Sequence, residues 1–544
     1  MEFEIPTWAE LRLVMPEIWL VITMCAVILV PFIKRTSVVL PVATTFVGLG
    51  LALVSALPLL TIRSGLGQHA FGVLAIDPFS QFFKVLLILF TLFILVQWLV
   101  TSRQDTEVKD VPDYLCLLVG ATFGMALMAS ATNLLMIFVA IESASLPSFA
   151  LAGFLKRHRL STEASLKYVL FGTVASAVGL YGMSLIYGTT GSLDLNEIAR
   201  QAAGGENQIG MTVMLAVGLT AMFSSIAFKL SATPLHFWCP DVFQGAPIEV
   251  TTFLSVASKG AAVCLLLRVM TAFGAAATWA GPDISFIGLS IGVAMLGAVT
   301  ATWGNLVAFH QDNIKRLLAY SSIAHAGYMI MGASLATFVD AGAPAQSLAG
   351  AILFYLVIYM FMNLGAFTVA ALIRQQTGTE DIRDYTGLIR RCPTLSVLLV
   401  LFLLSLFGMP GLGGFMGKIY LGVAMFDVGK TVAFVTVAAL LINTLISLYF
   451  YMRPVYYMVF TESDRPRPNI GPQPAGVLLI VICAVALLWT GILPQTIGRM
   501  TRAYGTLTTA PEVSSSLKIA AAPQESEDRG PQSTVHSPQS AQNP

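Results

Sequence analysis

Long apolar runs with almost no charged residues constrain this chain more than any other feature of its sequence. Of 544 residues, 56% are hydrophobic and 11% are charged, whereas a soluble domain has about 25% charged residues. A membrane-spanning helix needs about 20 consecutive apolar residues, and runs of that length recur along most of the chain. The pattern predicts an all-α polytopic membrane protein. It excludes a soluble globular enzyme, and the balance of 30 bases against 29 acids excludes a nucleic-acid-binding protein, which needs a basic face.

The apolar runs predict fourteen membrane-spanning helices. Their expected bounds are residues 14–33, 38–60, 79–101, 114–130, 132–154, 164–188, 211–238, 250–271, 284–308, 314–336, 347–373, 394–422, 430–452 and 474–495. If the loop after the first span is cytoplasmic, 16 bases lie in cytoplasmic loops and 9 on the opposite side. Cytoplasmic loops carry the excess of Lys and Arg in membrane proteins. We therefore expect both termini on the periplasmic side.

The two ends of the chain differ from the apolar runs. The first residues include Glu2, Glu4 and Glu10 but one base, Arg12, which is the wrong charge for a cleaved signal peptide. Residues 505–544 are rich in Pro, Ser, Gln and Ala and predict a disordered tail. The alternative for this tail is a strap that binds a partner.

Cofactor motifs are missing from the sequence. The six cysteines are dispersed and form no CxxC pair, so the spacing indicates neither an iron–sulfur cluster nor a structural zinc site. The sequence also has no GxGxxG and no GxxxxGK[ST] motif for a nucleotide. We expect this chain to carry no cofactor, metal or redox centre of its own.

Six ionisable residues lie where a membrane-spanning helix should be apolar. Such a side chain costs about 2.5–3.5 kcal/mol at mid-span and therefore usually marks function. They are Glu142, Lys84, Lys167, Lys229, Lys259 and Lys418. Glu142 is the only acid predicted deep within a span, and a lysine neighbour is expected to keep it ionised. The alternative is that these charges form ion pairs that only hold helices together.

Two of the lysines stand beside predicted helix breaks. Lys229 precedes Pro234 in "AFKLSATPLHFW", and Lys418 follows Pro410 in "GMPGLGGFMGKIYL". Proline interrupts a helix because it lacks the backbone donor and clashes with the preceding turn. The two segments have opposite order and run in opposite membrane directions by the span count, as expected for an inverted repeat with paired interruptions at an ion pathway.

The other ionisable residues have stronger structural alternatives. Lys259 is central in its span beside Ser255 and Ser258, and a lysine that only packs between helices is its alternative. Lys167 follows Glu163 by four residues, so an ordinary helix-surface pair would explain it. Lys84 could extend to the membrane surface. His325 could relay protons near neutral pH or could be a hydrogen-bonded core histidine.

Three segments resemble a known family. "FKLSATPLHFWCPDVFQGAPIEVTTFLSVASK", "IKRLLAYSSIAHAGY" and "MPGLGGFMGKIYL" resemble signatures of the antiporter-like membrane subunits of respiratory complex I. The resemblance covers residues 14–495 and extends to Mrp-type antiporters and membrane-bound hydrogenase subunits. A lysine at position 418, the predicted end at fourteen spans and the opening "MPEIWLV" favour the N-type branch over the M-type and L-type branches.

The resemblance implies an architecture and a set of site residues. The implied division is an N-terminal group of spans in 1–113, inverted five-helix repeats in 114–271 and 284–452, a last span at 474–495 and the tail at 505–544, with broken spans seven and twelve. The implied proton pathway consists of Glu142 and Lys167 as a pair, Lys229, Lys259, His325 and Lys418. Lys84 receives no role.

The implied activity is proton translocation as a subunit of an NADH:quinone oxidoreductase in the bacterial inner membrane. Flavin mononucleotide, iron–sulfur clusters and quinone are then expected in partner subunits, and the partners are other complex I subunits and the lipid bilayer, with no nucleic acid. In this hypothesis, opening of the Glu142–Lys167 pair moves a proton from Lys229 toward Lys259 and Lys418. The rivals are a subunit of a Na⁺/H⁺ antiporter complex, the membrane arm of a hydrogenase, and a scaffold without transport.

Overall fold

The computed structural model describes residues 7–33, 37–61, 68–101, 106–204, 209–280, 284–338, 343–462 and 474–507. Most of the predicted tail, from residue 508 on, lies outside the described residues. The helices are α1 Trp8–Leu13, α2 Met15–Ile33, α3 Val39–Ala56, α4 Pro78–Thr101, α5 Val111–Ser130, α6 Leu134–Ala152, α7 Arg159–Thr190, α8 Leu195–Gly204, α9 Ile209–Leu230, α10 Trp238–Gly245, α11 Ile248–Phe253, α12 Lys259–Ala280, α13 Ile284–Ala308, α14 Ile314–Ser334, α15 Ala343–Thr377, α16 Leu388–Arg391, α17 Pro393–Phe407, α18 Gly413–Phe426, α19 Thr431–Phe460, α20 Pro474–Ile492 and α21 Pro494–Ala503. Strands β1 Gln68–Ala70 and β2 Leu74–Ile76 form an antiparallel hairpin.

The all-α membrane architecture predicted from the apolar runs is confirmed. In the described part of the chain, 12 helical segments are long and apolar enough to cross a membrane. The two remaining predicted spans correspond to α14 and to the shorter apolar helices α17 and α18. Helices suit this environment because hydrocarbon offers no partner for backbone N–H and C=O groups, which a helix satisfies internally. The count of fourteen spans and the division into two repeats stay predictions.

Ion pairs join the loops that lie on one side of the helices. Arg453 and Arg383 both pair with Asp312, at N–O distances of 2.7 and 2.6 Å. Lys315 pairs with Glu380 at 3.3 Å on the same side. Further pairs there join Arg157 to Glu107, Lys156 to Asp110 and Arg390 to Glu462. We call this the basic side. The described loops joined here are among those that the charge count places on one side, and the alternation of the spans stays a prediction.

The loops of the opposite side are joined by backbone hydrogen bonds. Residues 131–133 lie between the β1–β2 hairpin and the start of α8, because Thr132 N–H donates to Val73 and Leu195 N–H donates to Thr132. Asp77 caps α4 by accepting from Ser80 N–H at 2.8 Å. Arg268 of α12 binds Asp77 at 3.0 Å and the carbonyl oxygen of Ala129 at 2.9 Å. Buried charge therefore holds this side of α12 against α4 and α5.

Two predicted membrane helices are interrupted, at the positions that the sequence indicates. Helix α9 ends at Leu230 and α10 begins at Trp238, with Pro234 in the break. Helix α17 ends at Phe407 and α18 begins at Gly413, with Pro410 in the break. Gly408 and Gly411 have φ of 97° and 90°, a left-handed conformation that glycine adopts without the steric penalty of a Cβ. In each break a backbone oxygen near the end of the first helix accepts from a side chain: Phe228 from Trp238 Nε1 at 3.2 Å, and Phe407 from Lys418 Nζ at 2.7 Å.

A third irregularity was not predicted. Between α11 and α12, residues Leu254–Ser258 form a π-helical turn, and all five are buried. A π turn occurs rarely and often at functional sites, because it widens the helix locally. It immediately precedes Lys259.

The expectation that Lys84 extends to the membrane surface is wrong. Its side chain is fully buried and its Nζ lies 2.5 Å from a carboxylate oxygen of Glu17 in the first turn of α2. The pair joins α2 to α4, two of the first three predicted spans. Glu17 is close to a helix end in sequence, as expected of acids other than Glu142, yet it is 4% exposed. The position of Glu17 near a helix end therefore gave no indication that its side chain is buried.

We predict that Glu17→Gln destabilises the protein and that Lys84→Met in the same chain restores most of the loss. The single substitution leaves a buried ammonium unpaired, which costs about 3–5 kcal/mol, whereas replacing both partners by uncharged groups is often nearly neutral. Thermal unfolding of the detergent-solubilised protein measures the difference. Glu197→Gln is the matched control, since Glu197 is a half-exposed partner of Arg200 and the change should shift stability by less than about 0.5 kcal/mol. Equal stability of all variants would contradict the prediction.

Candidate functional site

Helix α14 carries a polar face with a hydrogen-bonding side chain at every turn. Ser322, His325 and Tyr328 are each three residues apart and all buried, so they share one side of the helix. The helix is held close to α13: a Cβ at Gly327 would lie 2.6 Å from the Gly297 oxygen. Small residues permit such close packing of membrane helices. The α14 polar face is therefore fixed in a rigid part of the protein.

His325 is the centre of this face. Its side chain is 1% exposed, with Nδ1 2.6 Å from the Tyr355 hydroxyl and Nε2 3.2 Å from the Tyr451 hydroxyl. The Tyr451 hydroxyl also lies 2.5 Å from Ser321 Oγ. A hydroxyl both donates and accepts, so this surrounding accommodates a proton on either ring nitrogen.

Lys259 contacts the same face one turn away. Its Nζ donates to Ser322 Oγ at 2.6 Å and lies 3.8 Å from Cys239 Sγ. Lys259 is 1% exposed. It is the first residue of α12 and directly follows the π turn. The sequence placed Lys259 centrally in its span, and the structure puts its ammonium group against α14.

Lys418 lies at the other end of the α14 polar face. Its Nζ is 5.3 Å from the centroid of the Tyr328 ring, a cation–π contact. It also donates to the Phe407 carbonyl oxygen at 2.7 Å. That oxygen is available because α17 ends at Phe407, and the last carbonyls of a helix have no intrahelical partner. The helix break therefore supplies the backbone oxygen that binds the Lys418 ammonium group.

Lys229 differs from Lys418. It is 1% exposed at the end of α9, and in the described part of the chain its Nζ has no hydrogen-bond partner. The carboxylate of Glu142 lies within electrostatic range. Glu142 itself is half-buried on α6 and accepts a hydrogen bond from Ser176 Oγ of α7. A buried ammonium without a direct partner is costly and is sensitive to any charge that moves nearby.

The expected ion pair between Glu142 and Lys167 is not a direct contact. Lys167 Nζ instead lies 2.7 Å from Asp241 and 2.8 Å from Glu163. Lys167 lies near the basic-side end of α7, whereas Glu142 lies in the middle of α6. The ammonium group of Lys167 therefore contacts Glu163 and Asp241, which lie near the same end. The sequence assigned no role to Asp241, because nothing local links two residues 74 positions apart.

Asp241 connects two basic residues. It binds Lys167 with one carboxylate oxygen and Arg316 with the other, at 2.7 and 2.6 Å. Burial alone raises the pKa of the Asp241 carboxyl, but hydrogen bonds from Lys167 and Arg316 outweigh burial and hold this pKa below its ordinary value. Asp241 is therefore ionised at neutral pH and couples α7 to the start of α14.

The broken helices and the buried ionisable side chains around α14 define a class of protein: a polytopic membrane subunit with the antiporter-like fold. The family model described as "NADH:quinone oxidoreductase/Mrp antiporter, TM" matches residues 131–446. The chain belongs to this family.

Named relatives share most of the chain. It is 39% identical over 463 residues to the NADH-quinone oxidoreductase subunit N of Anaeromyxobacter sp. (strain Fw109-5), covering 80% of this chain and 86% of that protein. It is 35% identical over 503 residues to subunit N of Chlorobium chlorochromatii (strain CaD3), covering 89% and 94%.

Solved structures share the fold. A chain of respiratory complex I from Thermus thermophilus with bound aureothin is 32% identical, with a TM-score of 0.70, and the match covers 90% of this chain and 100% of that chain. A chain of the Mrp complex from Dietzia sp. DQ12-45-1b is 19% identical with a TM-score of 0.75, covering 92% and 98%. This second likeness concerns the fold alone.

We predict that substitutions at Lys167 and Asp241 have non-additive effects, whereas those at Lys167 and Glu142 are additive. Residues in direct contact show coupling in double-mutant cycles, of about 0.5–3 kcal/mol, and distant residues do not. The cycle is measured on the ion-transport rate of membranes that carry Lys167→Ala, Asp241→Asn, Glu142→Gln and the two doubles. Coupling of Lys167 to Glu142 instead would contradict the observed pairing.

Proposed function

We propose that this chain is a proton-translocating subunit of an NADH:quinone oxidoreductase. The observation that carries the proposal is the α14 polar face, which contacts Lys259 through Ser322 and Lys418 through Tyr328, with His325 between them. Each of these ionisable groups can exist charged or neutral, and hydroxyl groups can pass a proton between them. Membership of the family and relatives named NADH-quinone oxidoreductase subunit N support the assignment.

In the proposed mechanism, a proton moves from Lys229 through Lys259 and His325 to Lys418. Lys229 responds to charge because it has no direct partner in the described residues. Moving the negative charge of Glu142 away from Lys229 favours release of its proton, since an opposite charge nearby stabilises the ammonium form. The proton would enter the hydrogen-bonded groups around Ser322 and leave from Lys418 toward the opposite side.

The trigger proposed from the sequence needs revision. A first step at a Glu142–Lys167 pair has no support from the contacts of Lys167, whose Nζ lies against Asp241 and Glu163. Lys167 is bound by Asp241, and Asp241 also binds Arg316 at the start of α14. We propose that partner subunits act on the Lys167–Asp241–Arg316 group and on Glu142 as separate inputs.

Electron transfer is proposed to occur in partner subunits that hold flavin mononucleotide, iron–sulfur clusters and quinone. This chain would contribute only proton movement. We place it in the bacterial inner membrane with the basic side facing the cytoplasm, in agreement with the charge rule for membrane loops. Moving a proton outward then costs about 2.3 kcal/mol for each 100 mV of membrane potential, which the redox reaction in the partners must supply.

We predict that Lys229→Ala, Lys259→Ala and Lys418→Ala each reduce NADH-dependent proton pumping by about tenfold or more, since a proton-relay group typically contributes at least that factor. Pumping is measured with a pH-sensitive dye in everted membrane vesicles, with complex assembly checked on native gels. Lys109→Ala is the control, because Lys109 is 74% exposed and pairs with Glu107 at the surface. Normal pumping in all three variants would refute the proposed function.

The family also includes Mrp antiporter subunits, so Na⁺ exchange is the second candidate function. The same vesicles distinguish the two. We predict NADH-dependent pumping that is unchanged when Na⁺ is replaced by choline, because the polar groups around α14 need only protons to change charge. Pumping that requires Na⁺, or proton movement driven by a Na⁺ gradient without NADH, would favour the antiporter. NADH-binding and quinone-binding proteins that copurify with the chain would exclude it.

A further inference from the structure

A second line of polar groups leads from the basic side to Lys259, on the helix that contains the π turn and separate from the α14 polar face. Its outermost member is Glu249, which is 1% exposed in the first turn of α11. A buried carboxylate needs hydrogen bonds or opposite charges around it, because burial in a medium of low polarity disfavours the ionised form. Glu249 is preceded by the loop residue Ala246, whose carbonyl oxygen accepts from Lys315 Nζ at 2.9 Å. The region around Glu249 and Lys315 is therefore polar, but the Glu249 side chain itself is shielded from bulk solvent.

Charged and polar groups around Glu249 connect this residue to the basic side. Lys315 and the Tyr114 hydroxyl lie within electrostatic range of its carboxylate. Lys315 Nζ lies 3.3 Å from Glu380, whose side chain is 16% exposed and also binds Arg374. Solvent therefore reaches Glu380, one ion pair away from the lysine that neighbours Glu249.

From Glu249, polar side chains continue along one face of the helix toward Lys259. Thr252, Ser255 and Lys259 follow at intervals of three, three and four residues, which places them on one side of the helix. The distance from Glu249 to Lys259 is about 15 Å at 1.5 Å per residue. The π turn occupies the second half of this interval and opens the helix there.

Buried polar atoms without partners lie along the same interval. Gln97 of α4 donates to Thr252 Oγ1 at 3.1 Å, but its Oε1 has no hydrogen-bond partner in the described part of the chain, and neither has Ser258 Oγ. The Tyr114 hydroxyl also has no hydrogen-bond partner among the described residues. Buried polar groups of this kind bind internal water molecules. Hydroxyls and water together can carry a proton over a distance that no single side chain spans.

We propose that Glu249 is the group through which protons enter this chain from its basic side, and that they reach Lys259 along Thr252 and Ser255. The carboxylate takes a proton from water at the Lys315–Glu380 corner and becomes a carboxylic acid. It passes that proton to the hydroxyl and water groups, the neutral amine of Lys259 becomes an ammonium, and Glu249 returns to the carboxylate. The inference rests on the proposed proton translocation and adds an uptake residue to it.

The test uses the whole complex in everted vesicles, where the basic side faces the medium in the proposed orientation. Glu249→Gln should reduce NADH-dependent pumping by about tenfold at about pH 8 and by about twofold at about pH 6, because more abundant protons bypass a missing relay group. Glu249→Asp keeps a carboxylate and should restore most of the rate at both pH values. Glu107→Gln is the control, since Glu107 is an exposed acid on the same side, and it should leave pumping unchanged.

A purely structural role for Glu249 would give a loss of pumping that is equal at the two pH values and that Glu249→Asp does not relieve. This result would overturn the inference. Normal pumping of Glu249→Gln while Lys259→Ala is inactive would overturn the inference and leave the proposed function intact. Normal pumping of Lys229→Ala and Lys259→Ala would overturn the proposed function itself. If the Glu249→Gln complex does not assemble, Ser255→Ala is read in the same assay, and a loss confined to about pH 8 supports the inference, whereas no loss overturns it.

Discussion

The binding of ammonium groups inside a membrane is the constraint on which the rest of this structure depends. An unpaired charge in hydrocarbon is costly, and the break after Phe407 meets that cost for Lys418 by leaving a carbonyl oxygen 2.7 Å from its Nζ. The break after Leu230 provides no such oxygen to Lys229, whose Nζ has no hydrogen-bond partner among the described residues. The two breaks look alike in sequence but are not equivalent. One lysine is held by the backbone, and the other depends on charges at a distance.

Between Lys259 and Lys418, the protein uses hydroxyl groups and one imidazole instead of further charges. Tyr355 contacts Nδ1 of His325 and Tyr451 contacts Nε2, and Ser322 contacts Lys259. Hydroxyls can reverse the direction in which they donate, so a line of them has no fixed direction. A line of alternating fixed charges would instead trap a proton at its most stable site. Direction must then come from the ends, where Lys229 and Lys418 differ.

The sequence predicted what short-range signals determine. Pro234 and the glycines around Pro410 specify the breaks, and the apolar runs specify the helices that contain Lys229, Lys259 and Lys418. It failed where the partner is remote: Lys167 binds Asp241 and not Glu142, and Lys84 binds Glu17 and does not reach the surface. Helical periodicity fixes which residues share a face, but not which helices become neighbours. Tyr355 and Tyr451 beside His325 were missed for the same reason. The π turn before Lys259 was missed because no local sequence pattern marked it.

The start of α14 joins the basic side to the polar face, and this gives the helix two functions. Arg316 shares Asp241 with Lys167, and Lys315 binds Glu380 and the Ala246 carbonyl oxygen next to α11. About two turns further on, the same helix presents Ser322, and about one turn after that it presents His325. Because α14 packs closely on α13 through glycine contacts, a shift of its first turn would carry Ser322 and His325 with it, since closely packed elements move as units.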